Sequence, residues 1–463
     1  MTLGNHETFD LVILGSGLGG SLAAMVARQR GLSVAICDPT PHPRFVIGES
    51  STPTASLLVE AIADEFDLPE IAFLSSHARW TAEHPEIMRG RKRGFVYVGD
   101  IQPLAFAASS EANADTHWMR SDTDRFLLAA AVRRGARLIA ANPIAERYHE
   151  GQWRFVFERR EPIRSKLLLV TNAVPPHLDG VEAIDPPFRY RSRIAYTHAA
   201  SLPPTTRQAG WPFPPDESAM HAIGPDGWGW ALRFDDGRVS VGYEQTEFEG
   251  DDVEDALRRT WPDFALADPP GRILTLATPQ RCCDVAGGEA LALLPHAFGF
   301  VTPLHSTGLM STIAAAPLAV DALMSETTDE LTPRYRDLLT VVDRLAVLAD
   351  RTRGWSRGYE AAVSHYIAAA IGGERGRFDR TRPLLRSDEP AFHWQLDEAI
   401  ERADRLNQAA TDAEVNASAD TADQLRAAEA ELFDWSREQL AQFCDVALCD
   451  PAAGRMYSGT AAR

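Results

Sequence analysis

Three observations predict an α/β chain, with a Rossmann-type dinucleotide-binding domain and an associated substrate domain of β-sheet plus C-terminal helices. The first is the N-terminal order of an apolar run at 9–14, the turn Gly15-Ser16-Gly17-Leu18-Gly19-Gly20, helical spacing at 21–30 and a second apolar run at 32–37. The second is a later pair of tryptophan-bearing, strand-like runs around Asp235-Asp236-Gly237, after a proline-rich passage. The third is the polar-rich helical composition from residue 325 onward, with few glycines after Gly376.

The first unit is justified element by element. Residues 9–14 are apolar except for Asp10 and short enough for a buried strand. Leu22, Met25 and Val26 fall at helical spacing, and Gly31 closes that helix. In a G-x-G-x-x-G turn the glycines make the tight turn (Gly15), let backbone approach a pyrophosphate (Gly17) and allow close helix-on-strand packing (Gly20). The helix N-terminus presents unpaired N–H groups and the positive end of its dipole to the phosphates. Asp38 closes the second strand where a carboxylate for the adenosine ribose is expected. Together these place dinucleotide binding at residues 9–38.

Composition narrows the rest. The 463 residues exceed one ordinary core, so two or three packed units are expected. A net charge of −19 argues against nucleic acid as a partner. No run of about twenty apolar residues is read, which argues against a membrane span. The nucleotide strand begins almost at Met1, leaving no space for a signal peptide. Cys37, Cys282, Cys283, Cys444 and Cys449 have neither metal-ligand nor disulfide-framework spacing, so a reduced, cytoplasmic protein without a metal site is expected. Among 46 Lys+Arg residues only Lys92 and Lys166 are lysines. A lysine retained against that bias is a candidate for chemistry that arginine cannot do, because only the ammonium titrates within reach of neutral pH.

The remaining elements follow in order. Residues 39–43 force an extended loop, and FVIGESSTP at 45–53 brackets small polar residues between Gly48 and Pro53, as a loop laid against a cofactor would. Residues 54–66 have helical spacing. The basic cluster at 89–94 reads on composition as a solvated turn before a strand at 95–98. Ser121 with Asp124 has the form of a capping box for a helix at 126–134, with Arg120 either at a phosphate or in a helix-start salt bridge. Strands are expected at 136–140, 153–157 and 167–171. Asp235-Asp236-Gly237 signals a hairpin, and Trp228 and Trp230 share one strand face, as core or as the wall of an aromatic pocket. A strand at 291–294 leads to Ser306-Thr307-Gly308, a second loop-to-helix start that offers backbone N–H groups. Residues 411–424, rich in alanine and aspartate, are read as a mobile or solvent-facing stretch. The domain division is 1–175 for the N-terminal part of the cofactor domain, 176–270 for the substrate-domain sheet, 271–325 for the return segment and 326–463 for the C-terminal helices.

Several segments, in order over about residues 8–325, resemble the flavin-dependent halogenases, the tryptophan-halogenase-like FAD enzymes. Gly48-Glu49-Ser50-Ser51-Thr52-Pro53 is similar to the family's GES(T/S)xP loop. Lys92-Arg93-Gly94-Phe95 resembles the KxGxxF-type segment that carries its lysine, and Trp228-Gly229-Trp230-Ala231 the WxWxIP signature. Gly299-Phe300-Val301-Thr302-Pro303-Leu304 with Ser306-Thr307-Gly308 resembles the GFxxPLxSTG loop. The departures are Leu232 and Arg233 for Ile and Pro, His305 for the usual Glu or Phe, Thr302 for Asp, and Thr171-Asn172-Ala173-Val174 for D-A-T/S-G-R.

The resemblance implies FAD at Gly15, Gly17, Gly20, Asp38, Gly48, Glu49, Ser50 and Pro303. It implies chloride or bromide at the Thr307 and Gly308 amides, and a substrate pocket at Trp228, Trp230, His305 and Ser306. A separate flavin reductase supplies reduced FAD; O2 converts this to a flavin hydroperoxide, halide attack gives hypohalous acid, and Lys92 directs halogenation of an electron-rich aromatic small molecule. The acidic surface argues against docking an acidic carrier protein, so a free substrate is expected. A halogenase-fold monooxygenase or dehydrogenase acting directly at the flavin is the alternative, and a non-catalytic flavoprotein with a docking tail is a third reading.

Overall fold

The computed structural model describes residues 7–107, 115–147, 151–172, 174–175, 178–207, 211–246, 252–375, 384–415 and 419–441. Its first sheet has the parallel order Leu291–Leu293, Ile163–Val170, Thr8–Leu14, Val34–Cys37, Arg137–Ile139, with antiparallel strands added at its periphery. Strand Thr8–Leu14 lies near the middle, and Leu11, Val12 and Ile13 are fully buried. That position explains a nearly unbroken apolar run, since both faces are covered. Leu14 registers with Cys37 on one side and Val170 on the other, so three strand ends converge at the glycine turn. The helix Leu18–Gln29 crosses between them and packs on the helices Arg120–Arg133 and Thr307–Ser325.

The turn assigns its glycines unequal work. A Cβ on Gly20 would lie 2.0 Å from the Gly15 carbonyl oxygen, and one on Gly15, at φ +108°, would lie 2.5 Å from Thr171 Oγ1. Both positions serve the fold. At Gly17 a Cβ would meet only Asp124 Oδ2 at 3.4 Å and the Arg120 and Arg44 guanidiniums at 4.0 Å, so the space above it is open and rimmed by charge.

The second sheet runs Ala265–Leu266, Arg193–Ser201, Val239–Gln245, Gly227–Arg233, Ala219–Gly224, Gly94–Gly99, Leu104–Ala107, with Leu274–Leu276 also paired to Arg193–Ser201. The hairpin at Asp235-Asp236-Gly237 is present, with Arg233 opposite Val239. The strands at 94–107 fall in sequence between Val34–Cys37 and Arg137–Ile139 of the first sheet yet belong to the second, because Gly94–Gly99 pairs in parallel with Ala219–Gly224.

Three local expectations need correction. The basic cluster is not a solvated turn: Arg89–Lys92 is a strand paired antiparallel to Asp115–Trp118, and Arg89 and Lys92 are buried. A Cβ on Gly90 would come within 1.9 Å of the Arg233 carbonyl oxygen, so the ribbon presses directly on the tryptophan strand. Ser121 and Asp124 form no capping box. The helix starts at Met119 without a side-chain cap, and Asp124 instead takes the Arg120 guanidinium at 2.9 and 3.0 Å. One helix is also more apolar than the sequence reading allowed: Leu304–Ser325, with a mean hydropathy of 1.4, is long and apolar enough to cross a membrane by length and composition, but 67% of it is buried inside the protein.

The helices Leu331–Arg351, Ser356–Arg375, Pro390–Val415 and Ala419–Leu440 close the structure against both sheets. The 411–424 stretch is helical at 411–415 and 419–424, and its remaining residues lie outside the described set. Cys37, Cys282 and Cys283 are buried free thiols, while Cys444 and Cys449 lie outside the described residues.

Candidate active site

One cavity of about 400 Å³ runs from Gly15 and Gly17, past Gly48, Glu49 and Ser50, to Pro303, Ser306, Thr307 and Gly308, and on to Trp228 and Trp230. Leu338, Leu339 and Val342 of the helix Leu331–Arg351 line the same space. The structure thus brings most of the sequence-predicted site residues to one place. Asp38, Gly20, Lys92 and His305 are not on its wall.

Asp38 sits one layer back. Its carboxylate accepts from Ser16 N (2.8 Å), Ser16 Oγ (2.8 Å), Thr40 N (2.9 Å) and both Arg44 Nη atoms (2.9 Å each). Burial raises its pKa, but the bonds from Arg44, Thr40 and Ser16 outweigh this and hold it at about 2. Its acceptor sites are therefore spent on bracing the glycine turn, and Arg44 faces the cavity in its place. Arg120, bound to Asp124 and to the carbonyls of Ile47 (3.2 Å) and Gly48 (3.1 Å), is the second cation at this end. Two anchored guanidiniums, the open space over Gly17 and an uncapped helix N-terminus fit a pyrophosphate.

The loop before the long apolar helix is strained. His305 and Ser306 are successive non-glycine residues at φ 65° and 57°, a region costly for side-chain-bearing residues. Tyr366, from a helix 61 residues later, holds them: its hydroxyl donates to the His305 carbonyl at 2.9 Å and its ring stacks on the His305 ring at 4.1 Å and 7°. Ser306 provides no side-chain cap to the helix Thr307–Ser325, and Thr307 and Gly308 line the cavity. Both ring nitrogens of His305 are buried without a partner. Burial, then His221, pushes its pKa well down, keeping the ring neutral. His296, which sequence reasoning missed, lies beside this loop, where a Cβ on Gly308 would be 2.8 Å from its Cε1.

Trp228 and Trp230 form the far wall, with rings 5.7 Å apart. The aromatic contacts continue inward from Trp228 to His221 (5.4 Å) and from His221 to Tyr97 (4.7 Å) and Phe95 (6.0 Å). Lys92 Nζ lies 3.8 Å from the centre of the Phe95 ring.

Lys92 is completely buried. Ser51 and Thr116 bond reciprocally through backbone and side chain at 3.2 Å, laying the 49–53 loop along the strand Asp115–Trp118. This places the Ser51 carbonyl where Lys92 Nζ donates to it. Asp115 is the cross-strand partner of Lys92 and is also buried. Burial lowers the Lys92 pKa and raises that of Asp115, with each partially offset by the other's charge. His117 Nδ1, His221 Nδ1, Thr116 Oγ1, Ser50 Oγ and Glu49 Oε2 are buried without partners. The other Glu49 oxygen lies 2.7 Å from His198 Nε2. His117 and His221 are each held down at about 3 by burial and then by Lys92. Asp115 had no sequence signal, because its pairing spans 23 residues of chain.

A Rossmann-type sheet with a glycine turn, joined to a second sheet around one cavity, defines the class as a dinucleotide-binding α/β protein. No family model matches the sequence. The chain is 39% identical over 375 residues (72% of this chain, 82% of the relative) to 1H-pyrrole-2-carbonyl-[peptidyl-carrier protein] brominase of Pseudoalteromonas luteoviolacea. It is 26% identical over 365 residues, 71% of this chain, to monodechloroaminopyrrolnitrin halogenase PrnC of Pseudomonas fluorescens. It spans less than two thirds of that relative (64%) and of the tetracycline 7-halogenase of Kitasatospora aureofaciens (61%). Halogenase PltM, solved with phloroglucinol and FAD, superposes with a TM-score of 0.81 at 20% identity, covering 97% of this chain and 99% of PltM. The chain belongs to the flavin-dependent halogenase family.

Proposed function

We propose that this protein is a FAD-dependent halogenase that installs chloride or bromide on an electron-rich aromatic small molecule, with Lys92 as the catalytic residue. The observation that carries the reading is Lys92 itself: a fully buried amine off the cavity wall, opposite buried Asp115 on the paired strand, donating to the Ser51 carbonyl and lying over the Phe95 ring. Burial favours the neutral amine, the form that reacts with hypohalous acid.

Residues are assigned as follows. Gly15 and Gly17, with the first amides of Leu18–Gln29, hold the pyrophosphate, while Arg44 and Arg120 supply positive charge. Gly20 and Asp38 support that turn from behind. Gly48, Glu49, Ser50 and Pro303 border the flavin, and the Thr307 and Gly308 amides hold the halide. Bound FAD, reduced by a separate flavin reductase and reoxidised by O2, supplies the oxidising equivalents that make halide electrophilic. The Lys92 amine takes halogen from hypohalous acid, releasing water, and passes it to a ring carbon, which then loses its proton. Trp228, Trp230 and Ser306 border the ring, and His305 backs the loop that carries Ser306. The division at residues 175, 270 and 325, a free rather than carrier-tethered substrate and a cytoplasmic location complete the proposal.

A second reading, monooxygenation or dehydrogenation at the flavin, is favoured by one observation: Trp228 and Trp230 line the same cavity as Gly15 and Gly17. Supplying reduced FAD, O2 and either halide to a panel of free and carrier-tethered arenes separates the readings by product mass. Halide-dependent mass gain supports halogenation. Halide-independent oxygen insertion or desaturation supports the second reading.

A further inference from the structure

Glu244 is fully buried, stands opposite Trp228 on the neighbouring strand and makes no ion pair among the described residues. It is surrounded by hydrogen-bond donors. Its Oε2 accepts from Trp228 Nε1 at 2.8 Å and from Thr302 Oγ1 at 2.6 Å, its Oε1 accepts from Ser192 Oγ at 2.6 Å, and Tyr190 is a further hydrogen-bond partner.

The direction of each bond is fixed from outside. Leu304 N donates to Thr302 Oγ1 at 3.1 Å, so that hydroxyl turns its proton to Glu244. Gln280 is oriented by Ser192 N (3.2 Å, to its oxygen) and by the Val301 carbonyl (2.8 Å, from its nitrogen). Gln280 Nε2 therefore donates to Ser192 Oγ at 2.7 Å, and Ser192 passes its own proton to Glu244. An indole nitrogen only donates. The cluster is thus built for a carboxylate, which has acceptor sites only; a carboxylic acid brings a proton with no acceptor to receive it.

Trp228 and Thr302 both line the cavity, and Thr302 opens the segment that leads through Leu304 to Thr307 and Gly308. We propose that ionised Glu244 is a positioning residue that holds the tryptophan wall and the halide-side loop in one register, and that proton uptake there releases the loop. The relation to halogenation rests on the function proposed above. The titratable group facing Glu244 is the Tyr190 phenol, whose pKa burial pushes well up, with Asp350 of the helix Leu331–Arg351 and Arg353 of the turn that follows it acting on the phenol from behind. Asp343 of that helix holds the Tyr190 and Arg189 amides at 2.9 and 3.1 Å. Burial raises the Glu244 carboxyl to about 7, and the donors from Ser192, Thr302, Trp228 and Tyr190 restrain the rise. The switch therefore falls in a workable pH range.

The test uses the full chain at pH values from about 6 to 8.5 and reads two signals. One is the near-UV difference band of Trp228, isolated with Trp228→Phe; the other is halogenated product per reduced FAD oxidised, against peroxide released. In wild type the band is expected to titrate near pH 7, and product per flavin to fall roughly tenfold on the acid side, the scale of one charge-assisted bond. Glu244→Gln is expected to lose the Trp228 titration and to give the acid-side product ratio at every pH. Should that variant not fold, Thr302→Val removes one donor and is expected to shift the Trp228 titration upward. A Trp228 band that does not titrate in wild type, or titrates identically in Glu244→Gln or Thr302→Val, overturns the proposal. A normal Trp228 titration with no halogenated product at any pH overturns the halogenase reading and leaves the positioning role standing.

Discussion

Replacing Lys92 by methionine keeps most of the side-chain volume and removes the amine. It also leaves Asp115 buried with Ser56 Oγ at 3.2 Å and without the lysine charge that offsets its burial. The carboxyl then takes a proton in the folded state while remaining ionised in the unfolded chain above its ordinary value of 3.8. An acid whose folded pKa is raised loses stability as pH climbs from the unfolded value. Asp115 is already raised to about 6 beside the lysine, so at about 1.4 kcal/mol per pH unit the further loss in Lys92→Met is at most about 2 kcal/mol near pH 7.5 and close to zero near pH 5. The double variant Lys92→Met/Asp115→Asn removes the titration and is expected to recover most of the loss at neutral pH. Denaturant unfolding at the two pH values measures it. A Lys92→Met deficit that is the same at both, or a double variant no more stable than the single one, would refute the assignment of Asp115 as the buried counter-group. Halogenation should be absent from both variants while reduced flavin is still oxidised, which separates the chemical role of Lys92 from its structural one.

Further expectations follow from the same geometry. Lys92→Arg keeps the charge but not the nucleophilic amine, so it should retain FAD and O2 consumption and release peroxide without halogenated product; normal halogenation by this variant would end the claim for Lys92. Gly17→Val should fold but not retain FAD, since a side chain there fills open space, whereas Gly20→Ala should fail to fold because its Cβ overlaps the Gly15 carbonyl at 2.0 Å; flavin content beside thermal unfolding distinguishes them. NAD(P)H should not be oxidised efficiently by the purified protein, as its sequence has a single dinucleotide turn; rapid flavin-dependent consumption would favour the monooxygenase reading. His221, held at about 3 and neutral when folded, contributes stability above about pH 6.5 that is lost as pH falls below it, about 1.4 kcal/mol per unit. His221→Phe should accordingly lose less stability than wild type between pH 7 and 5.5, and an unchanged acid limb would count against it.

What was legible in the sequence was what is local. The strand, turn, helix and strand at 8–37 form from contiguous residues, and their apolar spacing reports their burial directly. The tryptophan hairpin was equally readable, because its turn residues sit between its strands. The strand Arg89–Lys92 was not, since its polar letters denote solvent unless the partner Asp115–Trp118, the Ser51 carbonyl and the Phe95 ring are known to surround it. The misread capping box has a similar cause: Asp124 bonds Arg120 one turn away and leaves the helix start uncapped. Asp38 stood out by its position as a ribose carboxylate, but its oxygens are taken up by Ser16, Thr40 and Arg44, the last on a loop whose path no spacing rule foretells. Glu244 and Tyr366 gave no signal, because each acts on a segment about 60 residues away.

The Tyr366 clamp has a consequence for the order in which the protein becomes safe to use. Synthesis proceeds from the N-terminus and domains fold as they emerge, so the glycine turn is complete long before the helix Ser356–Arg375 exists. Until that helix docks, the Tyr366 contacts that offset the cost of two consecutive left-handed residues at 305 and 306 are missing. A nascent or C-terminally clipped chain can therefore gather the glycine-turn end of its cavity without the 305–306 loop held in place. On the function proposed above, such a chain is expected to oxidise reduced flavin and release peroxide, so the late helix would act as a form of quality control.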